Sequence, residues 1–287
     1  MSRYRKLFLL TVVIFTVTMI TCLVYVKRST QTGQTIPSET VAITFTGGRT
    51  GSCTWIRLPD NTVLVIGASA DTSAKDILES LKRYSVTSLD LFILPHPYSD
   101  VTAGADALLS NMAIKQLWIA TEKPINRHQT ATLAKANKLH VPISVVSRGD
   151  VMTIGPWKVE ILSPPKDRVT GRPSAGNNSL VVRISKDNMS IIHLGGLGLN
   201  GQRALLTLPT VDILKCDILV LPRAASGPNI LPELLAAAAA TYIIIEGPTD
   251  DLDLETLSLA SGSVIAISDA IEPPMFFLDT NGVRQIK

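Results

Sequence analysis

The sequence contains few of the residue types from which metal and nucleotide sites are built. Its three cysteines do not follow the paired spacing of a zinc site, which excludes a zinc-finger type of domain. A glycine-rich turn at residues 46–51 lacks the Gly-Lys-Ser/Thr sequence of a P-loop, so that class of nucleotide site is excluded too. Ser52 and Ser99 have no histidine at a recognisable triad spacing, and serine hydrolase chemistry therefore has little support.

The chain also lacks a basic surplus outside its N-terminal segment. All 24 acidic residues follow Arg28, whereas five of the 27 basic residues lie at or before it. This leaves 22 basic against 24 acidic residues, a formal net charge of −2 for residues 29–287. The composition thus provides no strong electrostatic signal for a nucleic-acid partner.

One long apolar segment opens the chain. Residues 7–26 carry no charged side chain across 20 positions. A helix of that length rises about 1.5 Å per residue and covers the roughly 30 Å hydrocarbon layer of a membrane. Three basic residues precede the segment and two follow it, so the positive-inside rule favours a cytoplasmic N-terminus and a C-terminal domain outside the cytoplasm.

We therefore predict a single-pass cell-membrane protein in three parts: an anchor at residues 1–28, a polar linker at 29–40 and one domain at 41–287. Two alternatives concern the anchor. A cleaved signal peptide needs a small-residue cleavage site, and none is obvious. A lipoprotein signal would modify Cys22, but Met19-Ile20-Thr21 is a poor lead-in and the apolar segment continues past the cysteine. An uncleaved anchor is the favoured interpretation.

The domain repeats one pattern of elements. Strand-like segments joined by turn signals, such as Pro59-Asp60-Asn61 and Asn281-Gly282, are followed by alternating strands and helices, and this succession occurs twice. The pattern predicts an α/β fold with two sheets packed face to face and helices outside, a four-layer αββα sandwich. Cys53 and Cys216 lie in strand-like stretches, where buried free thiols and a disulfide both remain open.

A histidine and an aspartate follow the most apolar strand of the domain. Residues Leu89–Leu94 form a buried type of strand, and His96 and Asp100 come directly after it. A strand of this kind delivers polar side chains to the edge of a sheet, where α/β proteins usually place their chemistry.

This loop resembles the metal-binding loop of the metallo-β-lactamase fold, whose pattern is His-x-His-x-Asp-His. The likeness extends over about residues 41–286 and is greatest to the C-terminal domain of ComEC-type competence DNA-uptake channels. It rests on the Pro59-Asp60-Asn61 hairpin, on Asn177-Asn178-Ser179-Leu180 and on Leu194-Gly195-Gly196 at the end of a later hairpin. The resemblance implies the αββα fold and an ancestral two-metal hydrolase.

Several positions of the implied metal site carry residues that do not bind metal. The resemblance keeps His96 and Asp100 and loses the other ligands at the following positions: Tyr98, Val101, Gly196 and Arg223. Acids usual in the family are also replaced, by Thr46 and Gly67. A zinc site needs about three or four ligands, and a two-metal hydrolase also needs a bridging carboxylate. We therefore expect no catalytic residue, no tightly bound metal and no other cofactor.

Three local hypotheses accompany this expectation. His96 has a structural interpretation, in which it ends a strand and hydrogen-bonds Asp100. A salt bridge from Arg223 to Asp100 would replace the metal as the tie between the two halves of the domain. His193, on a predicted strand, is expected to be a packed residue and not a displaced ligand.

The sequence thus predicts a membrane-anchored, catalytically inactive protein with a binding or scaffolding role outside the cytoplasm. Its predicted binding place is the cleft where the two sheets end. One alternative is a divergent hydrolase of phosphodiester or nucleic-acid substrates, which would use His96 and Asp100 with zinc or another divalent metal. The other is an accessory of a DNA-uptake system, with a membrane protein complex as its partner.

Overall fold

The computed structural model describes residues 36–48, 51–69, 73–172, 174–221, 230–246, 254–267 and 274–286, together with residues 16 and 19. The predicted anchor at residues 7–26 lies outside this range apart from Thr16 and Met19, as does the linker up to residue 35. Among the described residues, no helix combines the length and the apolar character that a membrane crossing requires.

Within these ranges the chain forms 17 strands. In chain order they are β1 (Val41–Gly48), β2 (Gly51–Arg57), β3 (Val63–Ile66), β4 (Ser88–Leu89), β5 (Leu91–Leu94), β6 (Ala113–Ile114), β7 (Leu117–Ile119), β8 (Ile143–Val145), β9 (Val151–Ile154), β10 (Trp157–Ser163), β11 (Val181–Lys186), β12 (Met189–His193), β13 (Ile218–Leu221), β14 (Tyr242–Ile245), β15 (Ser263–Ala266), β16 (Met275–Asp279) and β17 (Gly282–Ile286).

The helices connect and cover these strands. In chain order they are α1 (Ser73–Arg83), α2 (Ser99–Thr102), α3 (Ala105–Asn111), α4 (Arg127–Lys138), α5 (Ser174–Asn177), α6 (Leu199–Leu206), α7 (Pro232–Ala238) and α8 (Leu254–Ser258), with a 3-10 turn at Val211–Leu214. Local chemistry sets their ends. Asn126, for example, begins α4 because its side chain accepts the backbone N–H of Gln129 at 3.0 Å.

Two large sheets contain most of the strands, and β4 and β6 pair in a separate two-stranded sheet. The first has eight strands in the order β17-β16-β1-β2-β3-β5-β7-β8, and the second has seven in the order β15-β14-β13-β12-β11-β10-β9. Each sheet is antiparallel on one side and parallel on the other: β3, β5, β7 and β8 run parallel in the first, and β12 to β15 in the second. The doubled succession of elements in the sequence therefore gives one sheet after the other, except that the last hairpin, β16 and β17, returns to the first sheet beside β1.

Apolar side chains fill the space between the sheets and the spaces under the helices. Ile43 and Ile93 of the first sheet and Val159 and Val220 of the second belong to one buried cluster. A second cluster joins the first sheet to α1, α3 and α4, and a third joins the second sheet to α6, α7 and α8. The domain is thus a mixed α/β sandwich in four layers, as predicted.

The turns predicted from sequence are present, with one correction. Asn61 and Gly282 have left-handed backbones, with φ of 68° and 108°, which the short hairpin turns require. The glycine-rich turn expected at residues 46–51 is shorter than predicted. The backbones of β1 and β2 continue to pair through Thr46 and Cys53, and through Gly47 and Ser52, as far as Gly48 and Gly51.

Candidate functional site

The predicted site lies at one edge of the sandwich, where strands of both sheets end. His96 follows β5 of the first sheet, His193 is the last residue of β12, and Glu246 directly follows β14 of the second sheet. Thr54 of β2 reaches the same place, because its hydroxyl donates to Glu246 Oε1 at 2.7 Å. We call Thr54, His96, His193 and Glu246 the buried polar cluster.

Glu246 ties the two sheets together. His193 Nδ1 accepts the backbone N–H of Gly195 at 3.0 Å, so the proton of the neutral ring is on Nε2. His193 Nε2 lies 3.3 Å from Glu246 Oε1, and the N–H there donates to the carboxylate. The side chains of His193 and Glu246 are each 4% exposed. With the hydroxyl of Thr54 added, one carboxylate oxygen accepts hydrogen bonds from both halves of the sandwich.

Both described cysteines are buried free thiols. Burial raises the pKa of Cys53, and the negative charge of Glu246 adds to that effect. Burial likewise raises the pKa of Cys216, to about 12. Both groups therefore remain protonated at neutral pH, and the disulfide alternative is not realised.

His96 is enclosed, with 4% of its surface exposed. Burial lowers the pKa of its imidazole; the charges of Asp100 and Glu246 oppose this effect and His193 reinforces it. Its Nδ1 accepts the backbone N–H of Tyr98 at 3.3 Å. The hydrogen bond expected between His96 and Asp100 does not form, since Nδ1 and Oδ1 are 3.9 Å apart. The backbone of the loop satisfies this nitrogen instead.

Gly196 lies directly against the ring of His96. A Cβ atom at position 196 would overlap His96 at Cδ2 and Nε2, far inside van der Waals distance. The backbone N–H of Gly196 donates to Ser179 Oγ at 2.9 Å, and that hydroxyl donates to the carbonyl of Pro95 at 3.2 Å. The imidazole therefore fills the space that a side chain at position 196 would need, which is where the resemblance places a bridging carboxylate.

The remaining predicted positions are dispersed around this contact. Tyr98 is half-buried, and its ring centroid lies 5.3 Å from that of His96. Val101 is buried, and its carbonyl accepts the N–H of Ala68 at 2.8 Å. Arg223, and with it the predicted salt bridge to Asp100, lies outside the described residues.

The described donors in this region do not form a three-ligand site for a divalent metal. Among the residues that the structure describes, no three His, Cys, Asp or Glu side chains are placed to hold one ion. The Nδ1 atoms of His96 and His193 accept backbone N–H groups, and the Nε2 of His96 packs against Gly196. Beside His96 there is a void of only about 10 Å³, close to the smallest space that holds one water.

A larger space adjoins this void and shares Pro97, Ala120 and Thr121 with it. It is a cleft of about 370 Å³, which we call the outer cleft. Three loops line it, those that follow β5, β7 and β10, with the residues Pro97, Tyr98, Ala120, Thr121, Lys123, Ile125, Arg168, Ser174, Ala175 and Asn178.

Sequence reasoning identified His96 but did not identify Glu246 or the hydrogen bonds that it accepts from Thr54 and His193. Glu246 belongs to no motif, but a carboxylate directly after the apolar strand Tyr242–Ile245 is the same kind of signal that marked His96. His193 is a packed strand residue, as predicted, but its imidazole also bonds Glu246. Nothing in the sequence pattern indicated that Lys123 and Arg168 line one cleft.

No family model matches this sequence, and no curated protein matches it either. Solved structures do share its fold. The metallo-β-lactamase fold protein YhfI from Bacillus subtilis is similar over 79% of this chain and 96% of its own, with a TM-score of 0.51 and 17% identity. CmlA, a diiron β-hydroxylase from Streptomyces venezuelae, is similar over 88% of this chain and 55% of its own, with a TM-score of 0.50 and 8% identity. These comparisons do not test the closer resemblance to ComEC-type proteins, which stays a prediction. At these identities the likeness concerns the fold alone: the chain has the metallo-β-lactamase fold.

Proposed function

We propose that this protein is a non-catalytic binding protein on the metallo-β-lactamase fold, held at a membrane by residues 7–26 with its domain outside the cytoplasm. The observation that carries the non-catalytic part is the contact between His96 and Gly196. The imidazole packs against backbone where a bridging carboxylate would stand, and this supports a domain without the two-metal centre of a hydrolase.

The chemistry of the surrounding donors supports this proposal. A metal-dependent hydrolase needs ligands with free lone pairs and an open position for water or substrate. In the buried polar cluster, the lone pairs on Nδ1 of His96 and His193 accept backbone hydrogen bonds, and Glu246 accepts from Thr54 and His193. These groups hold the two sheets together instead of facing a substrate.

The membrane location rests on sequence. Residues 7–26 are long and apolar enough to span a bilayer, and the flanking charges favour an external domain. A membrane protein complex as partner is likewise a proposal from the competence resemblance. Protease protection of the domain in sealed vesicles of both orientations tests the topology, because an external domain is digested in only one of them.

Metal analysis of the purified full-length chain tests the central proposal. We expect substoichiometric zinc, manganese and iron, the same metal content in the His96→Ala variant, and no hydrolysis of bis(4-nitrophenyl) phosphate with any of the three ions added. Stoichiometric metal that disappears in His96→Ala would overturn the proposal.

The second candidate is a divergent metal-dependent hydrolase. One observation favours it: His96 is electrostatically coupled to Asp100, His193 and Glu246, so four groups of ligand type share one region. Metal binding there requires the Gly196 segment to move away from the ring. The same metal analysis decides between the candidates, because metal and activity would then both depend on His193 and Glu246 as well as His96.

A further inference from the structure

Among the residues that the structure describes, the outer cleft is lined by two cations, Lys123 and Arg168, and by no carboxylate. Within the described part of the chain, neither cation has a carboxylate at salt-bridge distance. Glu122 and Asp167 adjoin these cations in sequence but are not among the described residues that line the cleft. The described lining therefore presents positive charge, which attracts an anion and repels a cation.

Arg168 is held in place before any ligand arrives. Its Nη2 donates to the carbonyl of Ala120, at the end of β7, at 2.6 Å. Burial lowers the pKa of its guanidinium, but an arginine stays charged in a protein at neutral pH. This bond uses one of five N–H donors, and the planar group suits the two oxygens of a carboxylate or phosphate.

The rest of the cleft is mainly apolar. Pro97, Ile125 and Ala175 contribute aliphatic surface, and Tyr98 contributes an aromatic ring. Ile125 is 55% exposed, although a side chain of this size usually gains by burial. The volume of about 370 Å³ lies in the range of small-molecule sites. The combination matches a ligand with one acidic group and an apolar body.

We propose that the outer cleft binds a small organic anion, a carboxylate or a phosphate monoester on an apolar body. This inference deepens the proposed function and rests on it, since it names the class of ligand that the non-catalytic protein would hold. The acidic group lies between Lys123 and Arg168, and the apolar body lies against Tyr98 and Ile125. A nucleic acid strand needs more basic contacts than the two cations of this cleft, and the domain has a net charge of −2. The ligand is therefore a small molecule.

Titration of the full-length chain with three matched probes tests the proposal. The probes are phenyl phosphate, benzoate and benzyl alcohol, which share a ring and differ in charge. We expect saturable one-to-one binding of at least one of the two anions and none of the alcohol. Of the two, the anion that binds more tightly identifies the acidic group.

Charge variants locate the binding. Removing both cations, in Lys123→Gln with Arg168→Gln, should weaken the anion at least about tenfold, a loss of about 1.4 kcal/mol. The matched control is Lys138→Gln, an exposed lysine on α4 that does not line the cleft. It should leave the affinity unchanged. Ala175→Phe keeps both cations and fills the cleft, so it should abolish binding even where the arginine variant proves unstable.

Two kinds of failure can be told apart. Absence of saturable anion binding, or binding that ignores both the charge variants and Ala175→Phe, overturns this inference and leaves the non-catalytic proposal in place. Hydrolysis of phenyl phosphate by a chain with stoichiometric metal overturns the proposed function, whatever the cleft variants do.

Discussion

The two faces of one loop differ in what surrounds them. Residues 95–100 send His96 inward, where it is enclosed by Gly196 and coupled to His193 and Glu246. The same loop sends Tyr98 outward, to the outer cleft. Side chains and backbone fill the inner face, whereas the outer face borders about 370 Å³ of accessible space. The histidine of the predicted metal loop is thus interior, whereas the neighbouring surface is accessible.

Substitutions at the inner face and in the outer cleft should also differ in their effect on the free energy of unfolding. In the buried polar cluster, polar groups are out of water and each lost partner leaves another buried group unsatisfied. In the outer cleft, Lys123 is exposed and its charge is screened by solvent, so its removal costs little stability. Stability measurements can therefore test whether the inner face is structural and the outer face is free for binding.

The largest effect is expected at Glu246. Glu246→Ala removes the acceptor shared by Thr54 and His193, and it should lower the free energy of unfolding by about 3 kcal/mol. Glu246→Gln is the matched control because its amide oxygen still accepts hydrogen bonds, and its loss should be clearly smaller. Urea unfolding of the two variants measures the difference. Equal losses would show that the acceptor does not tie the sheets together.

A smaller loss is expected from Gly196→Ala. The added Cβ overlaps the ring of His96, and overpacking of this kind should cost about 2 kcal/mol. Gly196 does not have a left-handed backbone, so strain at φ does not contribute. A double-mutant cycle isolates the contact.

In the His96→Ala background, the cost of Gly196→Ala should fall below about 0.5 kcal/mol, because the ring is gone. A cost that is the same in both backgrounds would mean that the ring does not occupy this space, and it would reopen position 196 to a metal-binding carboxylate.

The inner face should also respond to acid. The pKa of His96 in the folded protein is below its ordinary value of 6.5, because burial opposes charge more than Asp100 and Glu246 favour it, and His193 adds to the opposition. The unfolded chain therefore binds the proton more readily. Stability from this group is complete above pH 6.5 and declines as the pH falls towards the lower, folded-state pKa. The slope can reach about 1.4 kcal/mol per pH unit.

Unfolding measured between about pH 7.5 and pH 5 tests this linkage. His96→Gln should flatten the slope. His140→Asn should keep it, because His140 is exposed and its left-handed backbone suits asparagine. If His96→Gln and the parent chain show the same slope, the acid sensitivity belongs to other groups.

Local sequence signals were enough to predict the fold, but they did not predict the contacts of the inner face. The hairpin at Asn281-Gly282 and the apolar strand Leu91–Leu94 are visible in short windows, so the sheets and the place of His96 after a strand end could be predicted. The partners of Glu246 are 192 and 53 residues away, and only the topology of two sheets brings Thr54 and His193 to it. No fixed spacing in the sequence marks a hydrogen bond between the ends of distant strands, so no motif indicates it.

The smallest effect on stability is expected in the outer cleft, in contrast to the large losses expected at the inner face. Lys123 is exposed and forms no salt bridge with a described residue, so Lys123→Gln should change the free energy of unfolding by less than about 0.5 kcal/mol. The same substitution should still weaken anion binding, so function and stability would separate on this face. Thermal unfolding with and without phenyl phosphate measures both in one experiment. A destabilised Lys123→Gln variant would place this lysine in the structural framework, and the division between an inner face that stabilises and an outer face that binds would then not hold.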